Sequence, residues 1–113
     1  RVASKYTEAL AGLPMILPEV RPQSLHAFHL YVVQTADRNL FREALQECGI
    51  GTGIHYPLPV HRQPAYAGRL RTSADMAITE SLSQRVVSLP MFPALSEEQT
   101  DGVVQAIRQF FTK

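Results

Sequence analysis

The sequence predicts an α+β fold, a small mixed or antiparallel sheet covered by helices. Apolar residues recur at helical spacing in several stretches, the strongest running from Val103 to Phe111. Between residues 26 and 35 they alternate instead, with Phe28, Leu30 and Val32 on one face and His29, Tyr31 and Val33 on the other. No repeat, low-complexity tract or flexible linker interrupts the 113 residues, so 1–113 is expected to be one domain.

Each element has a local reason. Val2, Tyr6 and Leu10 lie four apart ahead of Gly12 and Pro14, which predicts a helix over 2–11. Met15, Ile16 and Leu17, closed by Pro18, predict an edge strand, and the alternation predicts a strand over 26–35. Asp37 is positioned to cap a helix whose stripe is Leu40, Phe41, Ala44, Leu45 and Cys48, with Gly49 as the stop. Residues 50–56 then read as a strand that Pro57 ends. Ser73 is the expected cap of a helix carrying Ile78, Leu82 and Val86, followed by a short strand at Val87–Leu89. Ser96 and Gln99 have capping-box spacing before the last amphipathic helix.

Composition narrows the function. With 45% apolar and 19% charged residues the chain can bury a core, which excludes intrinsic disorder and a charged coiled coil. Eleven basic against ten acidic side chains give a formal charge of +1, so nucleic acid is not an expected partner. No apolar run approaches the roughly twenty residues of a membrane span. A lone cysteine, Cys48, forms no internal disulfide and is assigned to the core, and a cytoplasmic setting fits. The chain opens on Arg1 with no leader pattern, and is expected to be part of something longer.

Chemistry concentrates in GTGIHYPLPVHRQPAY, residues 51–66, where His55, Tyr56, His61, Arg62, Gln63 and Tyr66 stand among prolines. Prolines restrict the backbone and lower the entropy lost on fixing polar side chains, which suits a binding loop; a rigid turn with satisfied histidines is the other reading. His55 and His61 do not have metal-ligand spacing, and no metal is expected. His26 and His29, three apart in the predicted strand, point to opposite faces and are assigned structural roles. No serine-hydrolase, dinucleotide or P-loop motif is present. The two lysines, Lys5 and Lys113, sit near the ends of the chain, where neither promises the desolvated setting of a Schiff-base amine.

The run Gly49–Pro57 with Pro59, His61, Gln63, Pro64, Ala65 and Tyr66 closely resembles the C-terminal segment of the DegT/DnrJ/StrS family of nucleotide-sugar aminotransferases, which depend on pyridoxal 5'-phosphate (PLP). His29–Val33 is similar to the family's H-L-Y strand, and Ser88–Pro93 to its S-L-P-[LM]-[FY]-P turn. The resemblance covers essentially the whole chain.

What it implies is the small C-terminal domain of a fold-type I aminotransferase. The larger N-terminal domain, which would bring the cofactor lysine, is expected to be missing from this chain. Such enzymes move an amino group from glutamate or glutamine to a nucleotide-linked keto-sugar and are homodimers. PLP is thus implied for the full-length protein, with none bound by this segment and no catalytic residue supplied by it. By the resemblance His55 and Tyr56 match the H-Y pair that faces the sugar nucleotide, with His61, Gln63 and Tyr66 in the neighbouring part of the loop.

Two departures bear on substrate subtype. Arg62 stands where an aliphatic residue is frequent and is read as facing water, and residues 74–80 replace the family's G-x-F-P-x-A-E run. The alternative is a non-catalytic ligand-binding or dimerisation module derived from that domain.

Overall fold

A computed structural model describes residues 1–73 and 75–112. In chain order these form α1 (Val2–Ala9), β1 (Tyr31–Gln34), α2 (Arg38–Glu47), a 3-10 turn (Val60–Arg62), α3 (Ala77–Arg85), β2 (Val86–Leu89) and α4 (Glu97–Thr112). β1 and β2 pair antiparallel, Tyr31 opposite Leu89 and Val33 opposite Val87. Each edge of this ribbon carries one further bridge, Ile16 to Gln34 and Gly53 to Ser88.

The helical stripes form the core. Val2 and Tyr6 of α1 and its C-cap Leu10 are buried in one cluster with Val103, Val104 and Ile107 of α4 and Tyr31, Val33, Val87 and Leu89 of the ribbon. The Tyr6 and Tyr31 rings meet at 5.2 Å. Their hydroxyls, which burial would otherwise strand, are satisfied: Tyr6 donates to the Pro90 carbonyl at 2.9 Å, and Tyr31 shares a 2.8 Å bond with Thr7. Phe41 of α2 meets Phe110 edge-on at 5.3 Å, which docks the end of α4. The capping box forms in both directions, the Gln99 N–H donating to Ser96 Oγ at 3.1 Å and the Ser96 N–H to Gln99 Oε1 at 3.0 Å. α2 ends as Gly49 predicts: at φ 75° its N–H reaches the Gln46 carbonyl while the Ile50 N–H reaches that of Leu45.

Several expectations are corrected. The strand over 26–35 shrinks to four residues, because Phe28 at φ 48° leaves the extended region and His26 Nδ1 accepts its N–H at 2.8 Å, making a local turn. His29 is exposed in that turn, so the opposite-face geometry assumed for His26 and His29 does not arise. The edge strand at 15–17 and the strand at 50–56 are reduced to the two single bridges; Gly51 and Gly53 offer no side chains to hold a longer ladder.

Cys48 is exposed, not in the core: it is the residue that leaves α2, and only Phe41 and Leu45 of the predicted stripe are buried, while Leu40 is 60% exposed. Asp37 is the N-cap of α2 but makes no side-chain cap bond. α3 starts at Ala77, where the Asp75 carboxylate accepts the Ala77 N–H at 2.7 Å, so Ser73 is not its cap; Ala74 lies outside the described residues. No residue of α3 is buried, and Ile78 is 79% exposed.

Candidate functional site

β2 delivers the first part of the site. Val87 and Leu89 turn into the core, which directs Ser88 between them to the other face, where it is nonetheless only 4% exposed. The segment leading to His55 covers it. Gly53 exchanges two backbone bonds with Ser88, at 3.0 and 2.8 Å, and His55 Nδ1 lies 2.8 Å from Ser88 Oγ. Gly53 is required there by space: a Cβ on it would stand 2.7 Å from His55 Cε1. From the other side Arg42 of α2 donates through Nε to Thr52 Oγ1 at 3.0 Å. The His55 ring is therefore held by a buried strand, while the residue itself remains exposed.

Tyr56 follows through a cis peptide bond and is 73% exposed, its ring meeting that of His55 edge-on at 5.5 Å. The two side chains help line an open cleft of about 490 Å³ between the proline loop and α3. Gln63, Thr79 and Ser83 add polar groups to it, and Leu58, Val60, Leu82 and Val86 add apolar walls. A cleft with apolar walls and a few hydrogen-bonding groups is suited to a sugar or nucleotide ring carrying hydroxyls.

The remaining predicted residues are distributed differently. Gln63 lines the cleft while its amide donates to the Leu58 carbonyl at 3.2 Å. His61 does not line it: the ring turns to α3 and its Nε2 lies 2.9 Å from Glu80 Oε1. Tyr66 is half-exposed one turn further along the loop and is also outside the cleft lining. Arg62 is largely exposed as expected, but it is paired, with Nε and Nη2 both 2.9 Å from Glu80 Oε1. These donors hold the Glu80 carboxyl well down, at about 2, Arg62 contributing most and His61 next.

Two residues that the sequence did not single out for the site therefore shape it. Ser88 had a signal, a hydroxyl between apolar residues of a strand. Glu80 had little, since it is 18 positions from Arg62 and only the folded chain brings them together.

A second recess of about 530 Å³, between Cys48–Gly51 and α4, is lined without a charged side chain and offers nothing to balance a phosphate. Among the described residues no group of three His, Cys, Asp or Glu is arranged to hold a metal, and no helix is long and apolar enough to cross a membrane.

The family model of the DegT/DnrJ/EryC1/StrS aminotransferase family matches residues 1–108. The chain belongs to this family. It is 40% identical over 109 residues to the UDP-N-acetyl-3-dehydro-alpha-D-glucosamine 3-aminotransferase of Acidithiobacillus ferrooxidans, covering 96% of this chain and 29% of that protein. It is likewise 40% identical over 110 residues to a dTDP-3-amino-3,4,6-trideoxy-alpha-D-glucose transaminase of Streptomyces venezuelae, with the same coverage of 96% and 29%. The crystal structure of S. venezuelae DesV in complex with a ketimine intermediate superposes with a TM-score of 0.94 at 38% identity, over 99% of this chain and 30% of that one. The DegT/DnrJ/EryC1/StrS chain thus spans about 30% of the length of the relatives it matches, which are sugar aminotransferases.

PLP chemistry in this family calls for a lysine, and among the described residues none fits that role. Lys5 lies on α1 with its Nζ 2.7 Å from Asp101 of α4, and it lines none of the clefts described above. Lys113 lies outside the described residues.

Proposed function

We propose that this chain is the C-terminal domain of a PLP-dependent aminotransferase that transfers an amino group from glutamate or glutamine to a nucleotide-linked keto-sugar. In this reading residues 1–113 form one domain that contributes substrate contacts, and the Schiff-base lysine comes from an N-terminal domain of the same protein. His55 and Tyr56 make the principal contacts, with Gln63 beside them and His61 and Tyr66 in the adjoining part of the loop. An imidazole and a phenol can donate to phosphate or sugar oxygens, and the phenol ring can stack on a sugar or base.

The observation that carries the proposal is the contrast within one dipeptide: His55 is tied to a buried serine while Tyr56 beside it stands 73% exposed at a cleft. A core role does not account for an anchored imidazole next to a free phenol. The exposed Leu58, Val60 and Leu82 line the same cleft. Such a patch suits coverage by the remainder of a larger enzyme, acting as a homodimer.

The test is reduction of the full-length protein with borohydride in the presence of PLP, followed by peptide mapping. The expected product is a single pyridoxyl-lysine outside residues 1–113. Stoichiometric label on Lys5 contradicts the proposal.

A further inference from the structure

We propose that Glu80 is a positioning residue that sets the substrate loop, and that Arg62 is the second arm of this latch and not a ligand for substrate phosphate. Between Pro57 and Leu70 every backbone hydrogen bond among the described residues is local: Arg62 to Pro59, Gln63 to Val60, Tyr66 and Ala67 to Gln63, Arg69 to Tyr66. The Gln63 side chain also bonds within the loop, to Leu58. Among the described residues, the hydrogen bonds from this stretch to another element are those made to Glu80, whose Oε1 receives His61 Nε2 and Arg62 Nε, each at 2.9 Å.

The carboxylate stands on α3, which forms the opposite wall of the cleft through Thr79, Leu82 and Ser83. Arg38 of α2 in turn donates to the Ser83 carbonyl, fixing α3 to the body of the domain. One oxygen therefore ties the loop wall of the cleft that His55 and Tyr56 line to the α3 wall. Charge balance assigns Arg62 its part: its guanidinium already faces an anion, so the extra cation of this loop is committed within the chain. This rests on the reading that residues 55–66 face a nucleotide sugar.

The full-length protein is titrated calorimetrically with UDP and with dTDP as probes, as wild type and as Glu80→Ala, Glu80→Gln, Arg62→Ala and His55→Ala. Glu80→Ala is expected to weaken the bound nucleotide about tenfold, with faster amide exchange confined to residues 57–70. Glu80→Gln keeps an oxygen that can accept both bonds and is expected to recover most of that affinity. Arg62→Ala is expected to lose less than Glu80→Ala, since His61 still holds the latch.

A Glu80→Ala protein that binds as wild type while His55→Ala binds weakly overturns the latch and leaves the proposed site standing. Loss in Glu80→Ala accompanied by faster exchange across the whole domain, with no rescue by Gln, shows a structural role and also overturns it. An Arg62→Ala loss exceeding that of Glu80→Ala returns Arg62 to the substrate and refutes its assignment. A wild type that binds neither nucleotide removes the reading on which the latch rests.

Discussion

His55 Nδ1 lies 2.8 Å from the hydroxyl of Ser88, and this contact joins an exposed ring to a buried strand. Ser88→Ala removes it without changing β2, whose core-facing neighbours Val87 and Leu89 are untouched. One neutral hydrogen bond is worth about 1 kcal/mol, or about fivefold in affinity. We expect Ser88→Ala to weaken sugar-nucleotide binding by about that factor, measured by calorimetry on the full-length protein. Unchanged affinity would show that the hydroxyl does not orient the ring.

Gly53→Ala should act on the same ring by crowding it. Its new Cβ would stand 2.7 Å from His55 Cε1, so the imidazole must swing away and give up Ser88. Gly51→Ala supplies the control, because nothing lies within 4 Å of a Cβ built there. Nucleotide affinity is expected to fall about fivefold or more in the first variant and to hold in the second.

Acid should release the Glu80 latch late. The carboxyl is lowered from 4.5 to about 2, chiefly by Arg62 and then by His61. A depressed folded value means that the contribution is complete above pH 4.5 and is lost as the pH falls toward 2. Carbon-detected NMR of the Glu80 carboxyl should give a midpoint near 2; a midpoint near 4.5 would show that the pair does not persist in solution.

The alkaline limit is set elsewhere. Burial, reinforced by Tyr31, pushes the Tyr6 phenol up to about 12, and burial also raises Tyr31 against the opposing bond from Thr7. A raised folded value stabilises below pH 10 and is lost between about 10 and 12. Phenolate absorbance should therefore show a late step near pH 12 from Tyr6, with unfolding tracking it. Tyr6→Phe is expected to cost about 1 kcal/mol at neutral pH, from the lost bond to Pro90, and to remove that step.

How much of this was legible follows from what each signal encodes. The stripe from Val103 to Phe111 and the Ser96–Gln99 box are local patterns, and α4 forms as they specify. Alternation over 26–35 was also local, but it cannot register a single residue such as Phe28 turning to positive φ, so the strand came out short. Cys48 is exposed although it lies on the stripe, because a helical stripe does not say where the core ends along the helix axis. At the site, the loop composition led to His55, Tyr56 and Gln63, which do line one cleft. The partners that hold the loop, Ser88 and Glu80, lie 33 and 19 positions from the histidines they meet, and only tertiary structure joins them.

The central claim is that His55 and Tyr56 contact the sugar nucleotide, and the two half-reactions of the full-length enzyme test it most directly. Single-turnover rates with the amino donor and with the nucleotide-linked keto-sugar should be compared for wild type, His55→Ala and Tyr56→Phe. A loss of about tenfold or more confined to the keto-sugar half-reaction is the predicted result. Equal losses in both half-reactions, or none in either, would contradict it.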